Sequence, residues 1–502
     1  MIDEQLIGER LVFGIPGPRP TRADLQLFRD THAGGLILYR INYRSPVQIR
    51  ALVREMEESL GRRLLVTVDH EGGRVIMFQG GVTVFPDNLA FGTGATPADA
   101  ARQGAVEGRE LRRLGMDVAF SPTVDVLTRT HSPNIGIRSY GDNPDRVAAM
   151  AVARLRALQA QGVSACAKHF PGLGPASLDP HLDLPVIRTT WAEMRRSHLK
   201  PFRAAIAAGV DMIMSSHPLY PRLEPRPRTP ATFSKKLITG LLREELGFRG
   251  VIASDDLEMG ALRRLAPVGR AAVLAAAAGH DLILCCHRAD LQRGVFHALL
   301  EAVRSGELSC RDLECSVERL RRLRGFAQKR FAPGPAVADP AGAALAARVA
   351  RRAVTVTGPA LRSPDARPAK TLVIFPRFEP LSRRIMIEPM MTRPGAFFKK
   401  TVPDPRARLC PIDINPGPRE RRRVLQRARN ADQVVYVCFD AHLQPGDRAL
   451  MASLQRRQPK PILVLLRNPY DRVFADPRST VVTAFGFRQC QIAACLERIF
   501  GS

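Results

Sequence analysis

Eight short apolar runs, each followed by a segment long enough for a helix, fill the first two thirds of the chain and constrain its fold more than any other feature. They are "RLVFGIP" from Arg10, "GLILYR" from Gly35, "LLVTVD" from Leu64, "DVAFSP" from Asp117, "ACAKHF" from Ala165, "DMIMSS" from Asp211, "VIASDD" from Val251 and "DLILCC" from Asp281. None alternates apolar with polar, the pattern of strands buried on both faces of a parallel sheet. Helical signals fall between them: in "SPVQIRALVREMEESLG" Ser45 and Pro46 fit an N-cap and first turn, and Gly61 fits the stop. Eight strand-helix units predict a parallel (β/α)8 barrel of the TIM type, with a doubly wound open sheet as the alternative. The Pro-, Gly- and Ala-rich stretch Phe331 to Ala343 then marks a domain edge. Four further runs follow, from Thr371, Gln433, Pro461 and Ser479, separated by Arg-rich helical segments. The expected organisation is a barrel over 1–330, a linker over 331–345 and a smaller α/β domain over 346–502, the last with no chemistry evident and a structural or partner-binding role by default.

A chain of 502 residues exceeds one ordinary core, and 45% hydrophobic with 25% charged residues is a globular composition. The net charge of +27, from 75 Lys and Arg against 48 Asp and Glu, raises the question of a polyanion partner. The basic residues are mostly Arg dispersed along helices, only 6% of residues are aromatic, and no run interleaves the two, so no nucleic-acid partner is expected. The N-terminus "MIDEQLIGERLVFGIPG" is acidic where a signal peptide is basic, and no apolar stretch approaches the ~20 residues that span a bilayer. Nine cysteines include no CxxC pair, and Cys285 and Cys286 sit in an apolar run, which fits reduced core thiols. These features together predict a cytoplasmic protein without a membrane span.

In such a barrel the site lies at the C-terminal ends of the strands. Asp69 ends the third run, Lys168 and His169 the fifth, Ser215, Ser216 and His217 the sixth, and Ser254, Asp255 and Asp256 the seventh, with Asp179 and His181 in the loop after the fifth. Singly, a strand-end Asp is as often a helix cap and a lone His a core hydrogen-bonder. Four such ends in one mouth point instead to hydrolysis by a carboxylate nucleophile, with a proton donor on a Gly- and Pro-spaced loop. Asp69, His70, His169 and Asp255 could bind a metal, but no HExxH or helical His pair is present, so neither metal nor cofactor is expected. No strand-end serine lies in GxSxG.

The motifs "DHEGGRV", "SPNIGIRSYG", "KHFPGLG" followed by "DPH", and "ASDDLEMGA" resemble, in order, those of the β-N-acetylglucosaminidase branch of family 3 glycoside hydrolases, in its two-domain form. The resemblance implies a retaining exo-hydrolase acting on a carbohydrate with terminal β-linked N-acetylglucosamine, such as a peptidoglycan fragment. It makes Asp255 the nucleophile, His181 the acid and base, and Asp179 the residue holding its tautomer. Asp69, Arg138, Lys168 and His169 match the family's sugar-hydroxyl contacts. A loop containing Gly172, Gly174 and Pro180 can carry the imidazole onto the glycosidic oxygen and away again. An imidazole with an ordinary pKa near ~6.5 can donate and accept near neutral pH.

Two positions depart from the family pattern. Met77 stands where a second arginine of the first motif helps hold the sugar, a change expected to cost ~1.5–3 kcal/mol of binding unless another group substitutes. Leu173 replaces the usual histidine between the glycines after Phe170-Pro171. The alternatives are therefore a β-glucosidase or glycoside phosphorylase on the same barrel, or a degenerate barrel that only binds a glycan or an acidic partner.

Overall fold

The computed structural model describes residues 4–129, 131–176, 178, 184–327, 337–361, 370–383 and 385–501. Each of the eight apolar runs forms a strand: β1 (Leu11–Phe13), β2 (Gly35–Leu38), β3 (Leu65–Val68), β4 (Val118–Ala119), β5 (Ser164–Phe170), β6 (Met212–Ser215), β7 (Val251–Ala253) and β8 (Ile283–Cys285). All are fully buried, as the lack of alternation requires. They pair in parallel in the order β7-β6-β5-β4-β3-β2-β1-β8. A parallel bridge between Ala253 and Leu282 joins the two ends, so the sheet closes as a barrel and is not an open doubly wound sheet.

The barrel interior is packed by inward residues of successive strands, among them Val12, Ile37, Leu65, Val118, Cys166, Met212 and Val251. Leu320 and Leu323, from the helix Cys310–Ala327, belong to the same cluster. The segment expected to be capped by Ser45 is the helix Pro46–Leu60: Ser45 accepts the Gln48 N–H, and Gly61 ends it in the left-handed region at φ 65°. That backbone geometry favours glycine, which lacks the Cβ that would clash.

The chain divides into two compact units, one of Met1–Glu71, Val75–Thr83 and Thr96–Gly342, the other of Gly72–Arg74, Val84–Ala95 and Ala343–Ser502. The second contains a six-stranded sheet, β9 (Thr355–Thr357), β10 (Thr371–Pro376), β11 (Ala407–Ile412), β12 (Gln433–Phe439), β13 (Ile462–Leu466) and β14 (Thr480–Thr483), ordered β11-β10-β12-β13-β14-β9. All its pairings are parallel except that of β9 with β14. Apolar clusters cover both faces. The four apolar runs noted in this region are β10, β12, β13 and β14. The two others, β9 and β11, are the edges, and "ARLCPI" carries an exposed Arg408 and a proline that a central strand would not tolerate. Among the described residues no helix is long and apolar enough to cross a membrane.

Candidate active site

Asp69 follows β3, and its carboxylate receives the Lys168 ammonium, from within β5, at 2.5 Å. Lys168 also lies 2.7 Å from Glu71 Oε1. Arg138 ends a short turn, Gly136–Arg138, in the loop after β4, and places its guanidinium fork on the same carboxylate, with Nε to Oε2 and Nη2 to Oε1 both at 2.8 Å. Two cations thus share one buried glutamate while one of them reaches the half-buried Asp69. Burial alone would raise the Glu71 carboxyl, but the charges of Arg138 and Lys168 hold it well below the usual carboxylate range. Burial opposes the Lys168 charge as well, and Asp69 and Glu71 lift its ammonium above its ordinary range. Glu71 and Lys168 therefore stand charged and hydrogen-bonded to each other at neutral pH.

His169 completes the row. Arg138 Nη2 stands 3.3 Å from its Nε2, and since a guanidinium only donates, that nitrogen carries the lone pair. The proton therefore sits on Nδ1, which donates to Asp125 Oδ2 at 2.7 Å. Asp125 also accepts the backbone N–H of His169 at 3.2 Å and of Leu173 at 2.5 Å. One buried carboxylate so fixes the imidazole and the start of the loop that runs toward Asp179 and His181. Beneath the row, Arg154 donates to the Glu71 carbonyl at 2.7 Å and grips Glu107 through Nε at 2.9 Å and Nη2 at 3.0 Å. Gly104 permits this close helix contact: a Cβ there would come 2.2 Å from the Arg154 carbonyl oxygen.

On the far side of the mouth Asp255 and Asp256 follow β7. The half-buried Asp255 accepts the Asp256 N–H on Oδ1 at 2.8 Å. Burial chiefly raises the thiol of Cys166 inside the barrel, the charge of Lys168 opposing and those of Asp69 and Asp255 adding to it. The other strand-end groups have structural partners. Ser216 donates to the Phe170 carbonyl at 2.9 Å, Ser215 meets His280 at 2.8 Å, the Ser254 hydroxyl accepts the Leu284 N–H at 3.1 Å, and His217 spans Thr232 and the Asp256 carbonyl. Among the described residues no group of three or more His, Cys, Asp and Glu could hold a metal ion.

The structure thus brings Asp69, Arg138, Lys168 and His169 into one bonded network and sets Asp255 at the same end of the barrel. Asp179 and His181 lie outside the described residues. Glu71 and Asp125, which connect the network, were not singled out by sequence reasoning, although Glu71 lies within "DHEGGRV" itself. Met77 is half-buried, and its backbone N–H lies 3.4 Å from His70 Nδ1. Leu173 is buried and joins the site through its N–H, which Asp125 accepts.

A closed parallel barrel whose mouth holds fixed cations and carboxylates beside a further strand-end Asp is the frame of a barrel hydrolase for a polyhydroxylated substrate. Residues 3–323 match the model of the glycosyl hydrolase family 3 N terminal domain. The chain belongs to that family and is a glycoside hydrolase. Among its relatives, a beta-hexosaminidase of Neisseria meningitidis serogroup C is 36% identical over 280 residues, covering 54% of this chain and 76% of the relative. A beta-hexosaminidase of Thioalkalivibrio sulfidiphilus is 37% identical over 295 residues, covering 58% of this chain and 84% of the relative. A solved glycoside hydrolase family 3 beta-N-acetylglucosaminidase from Paenibacillus sp. str. FPU-7 superimposes with a TM-score of 0.92 at 31% identity, covering 100% of this chain and 97% of that one.

Proposed function

We propose that the protein is a retaining exo-β-N-acetylglucosaminidase that removes terminal β-linked N-acetylglucosamine from peptidoglycan fragments in the cytoplasm. Residues 1–330 are then the catalytic barrel, 331–345 a linker and 346–502 an accessory α/β domain. The observation that carries this reading is the bonded row of Asp69, Lys168, Glu71, Arg138 and His169 in the mouth that also holds Asp255, in a chain similar along its length to a β-N-acetylglucosaminidase.

In this reading Asp69, Arg138, Lys168 and His169 bind the sugar hydroxyls, their charges and tautomers set in advance by Glu71 and Asp125. Asp255, with Oδ1 held by the Asp256 N–H, attacks the anomeric carbon through its other oxygen while the bond to the aglycone breaks. His181, its tautomer set by Asp179, gives its proton to the departing oxygen. Water then enters from the vacated side, His181 takes back a proton, and the sugar–Asp255 ester bond breaks with net retention. No metal or cofactor enters either step.

The test is a comparison of initial rates on 4-nitrophenyl N-acetyl-β-glucosaminide and 4-nitrophenyl β-glucoside, each with and without inorganic phosphate. The reading expects hydrolysis of the N-acetylated substrate to exceed that of the glucoside by at least ~10-fold, with no phosphate dependence. Preference for the glucoside would move the enzyme to the β-glucosidases. A sugar phosphate as product would make it a phosphorylase, and no turnover of either substrate would leave a glycan-binding barrel.

A further inference from the structure

Asp256 stands beside the proposed nucleophile in sequence but turns its carboxylate to β8. Its Oδ1 accepts the backbone N–H groups of Cys286 and Glu258, each at 3.2 Å, and its Oδ2 lies 3.3 Å from His287 Nε2. Glu258 binds the same strand end, its Oε1 accepting the N–H of His287 at 2.6 Å and of Arg288 at 3.2 Å. The His287 ring leans over Tyr39, which follows β2, with centroids 5.0 Å apart and planes at 35°. Its side chain is 56% exposed, so the ring is held on two sides and open on the others.

The geometry therefore links three groups in sequence. His287 fixes the Asp256 side chain, Asp256 fixes its own backbone, and that backbone N–H holds Asp255 Oδ1 at 2.8 Å. We propose that His287 is a positioning residue for the glycosidase reaction, which through Asp256 orients the carboxylate of Asp255 toward the anomeric carbon and balances the second carboxylate at that strand end. This inference rests on the proposed role of Asp255.

The groups facing the imidazole are Asp256 and Glu258 from the loop after β7, Tyr39 from the end of β2, and Cys286 and Arg288 on its own chain segment. The bond to Asp256 raises the His287 imidazole above its ordinary range, partial burial opposing and the charges of Asp256 and Glu258 adding to it. Burial, foremost, and the nearby Cys286, Asp256 and Asp69 keep the Tyr39 phenol protonated. A raised imidazole keeps its charge up to and somewhat above its ordinary titration range and loses it as pH climbs further. Below that loss the Asp256 carboxylate is paired with a cation. Above it Asp255 shares the strand end with an unbalanced charge, and the rate falls.

The experiment measures kcat/KM for 2,4-dinitrophenyl N-acetyl-β-glucosaminide from pH 5 to pH 10 in the wild type, H287N and H287L. With so good a leaving group the first step needs no acid, so ionisation of His181 drops out of kcat/KM and His287 is read directly. The expected result is an alkaline decline in the wild type that both variants lack. The H287L plateau falls about 10-fold with inhibition by free N-acetylglucosamine retained, and the H287N plateau lies between, since an amide can still donate to Asp256. An alkaline limb in H287N identical to that of the wild type would overturn the proposal, as would an H287L plateau within twofold. H287N decides alone if H287L does not fold. D255A on the same substrate separates the two ideas: a full rate in D255A would remove the nucleophile assignment itself, whereas a dead D255A beside unaffected His287 variants would remove only the role of His287.

Discussion

Replacing Asp255 by Ala should lower kcat for a nitrophenyl N-acetyl-β-glucosaminide by about 10⁴-fold or more while the circular dichroism spectrum and melting temperature stay those of the wild type. The loss is large because, among the described residues, the neighbouring carboxylates of the mouth are each committed to other groups. Asp69 is bound to Lys168 at 2.5 Å, Glu71 is gripped by Arg138 and Lys168, and Asp256 has both oxygens committed to Cys286, Glu258 and His287. Folding survives because the Asp255 side chain is only half-buried and accepts the N–H of its own neighbour. Steady-state kinetics of the purified variant beside its thermal melt checks both halves, and near-normal turnover would remove Asp255 as the nucleophile.

Replacing His181 by Gly should have an effect that depends on the leaving group. A nitrophenolate departs with little help from an acid, whereas a sugar alkoxide needs the proton, so the variant should lose about 10³-fold on a disaccharide and about 10-fold on the nitrophenyl substrate. A purely structural histidine would lose equally on both. Equal losses would move the search for the acid to Asp179. The opposing requirements of donating and then accepting a proton also predict a bell-shaped dependence of kcat on pH for the disaccharide, collapsing on the alkaline side in the variant.

The barrel was legible because its strands are buried on both faces, which prints eight uninterrupted apolar runs into the sequence with helical segments between them. The cap at Ser45 and the stop at Gly61 were legible for a similarly local reason. The edge strands β9 and β11 were not, since an edge keeps one side in contact with solvent and tolerates Arg408 and Pro411. Nor does any sequence pattern show that Gly72–Arg74 and Val84–Ala95 group with the second unit, because such grouping depends on contacts far apart in the chain.

In the site, Asp69, Lys168, His169 and Asp255 stood out as polar residues ending apolar strands. What the sequence hid was the pairing. Glu71 acts by joining two cations, Asp125 by fixing a tautomer and a loop start, and Arg154 by holding Glu71 from below, and none of these relations leaves a spacing to read. The neighbours Asp255 and Asp256 look alike in sequence. They differ in that the Asp256 carboxylate accepts the N–H of Cys286 at the end of β8, whereas the Asp255 carboxylate accepts the N–H of Asp256.

The most direct measurement is to incubate the enzyme with a 5-fluorinated N-acetyl-β-glucosaminyl donor bearing a good leaving group, digest it with pepsin, and weigh the peptides. The ring fluorine slows both steps by destabilising the oxocarbenium-like transition state, and the reactive leaving group lets the first outrun the second. The account predicts a time-dependent loss of activity and a single peptide, the one containing Asp255, heavier by one fluorinated N-acetylglucosaminyl group. A label on any other carboxylate, or turnover to the inverted sugar with no label at all, would contradict it.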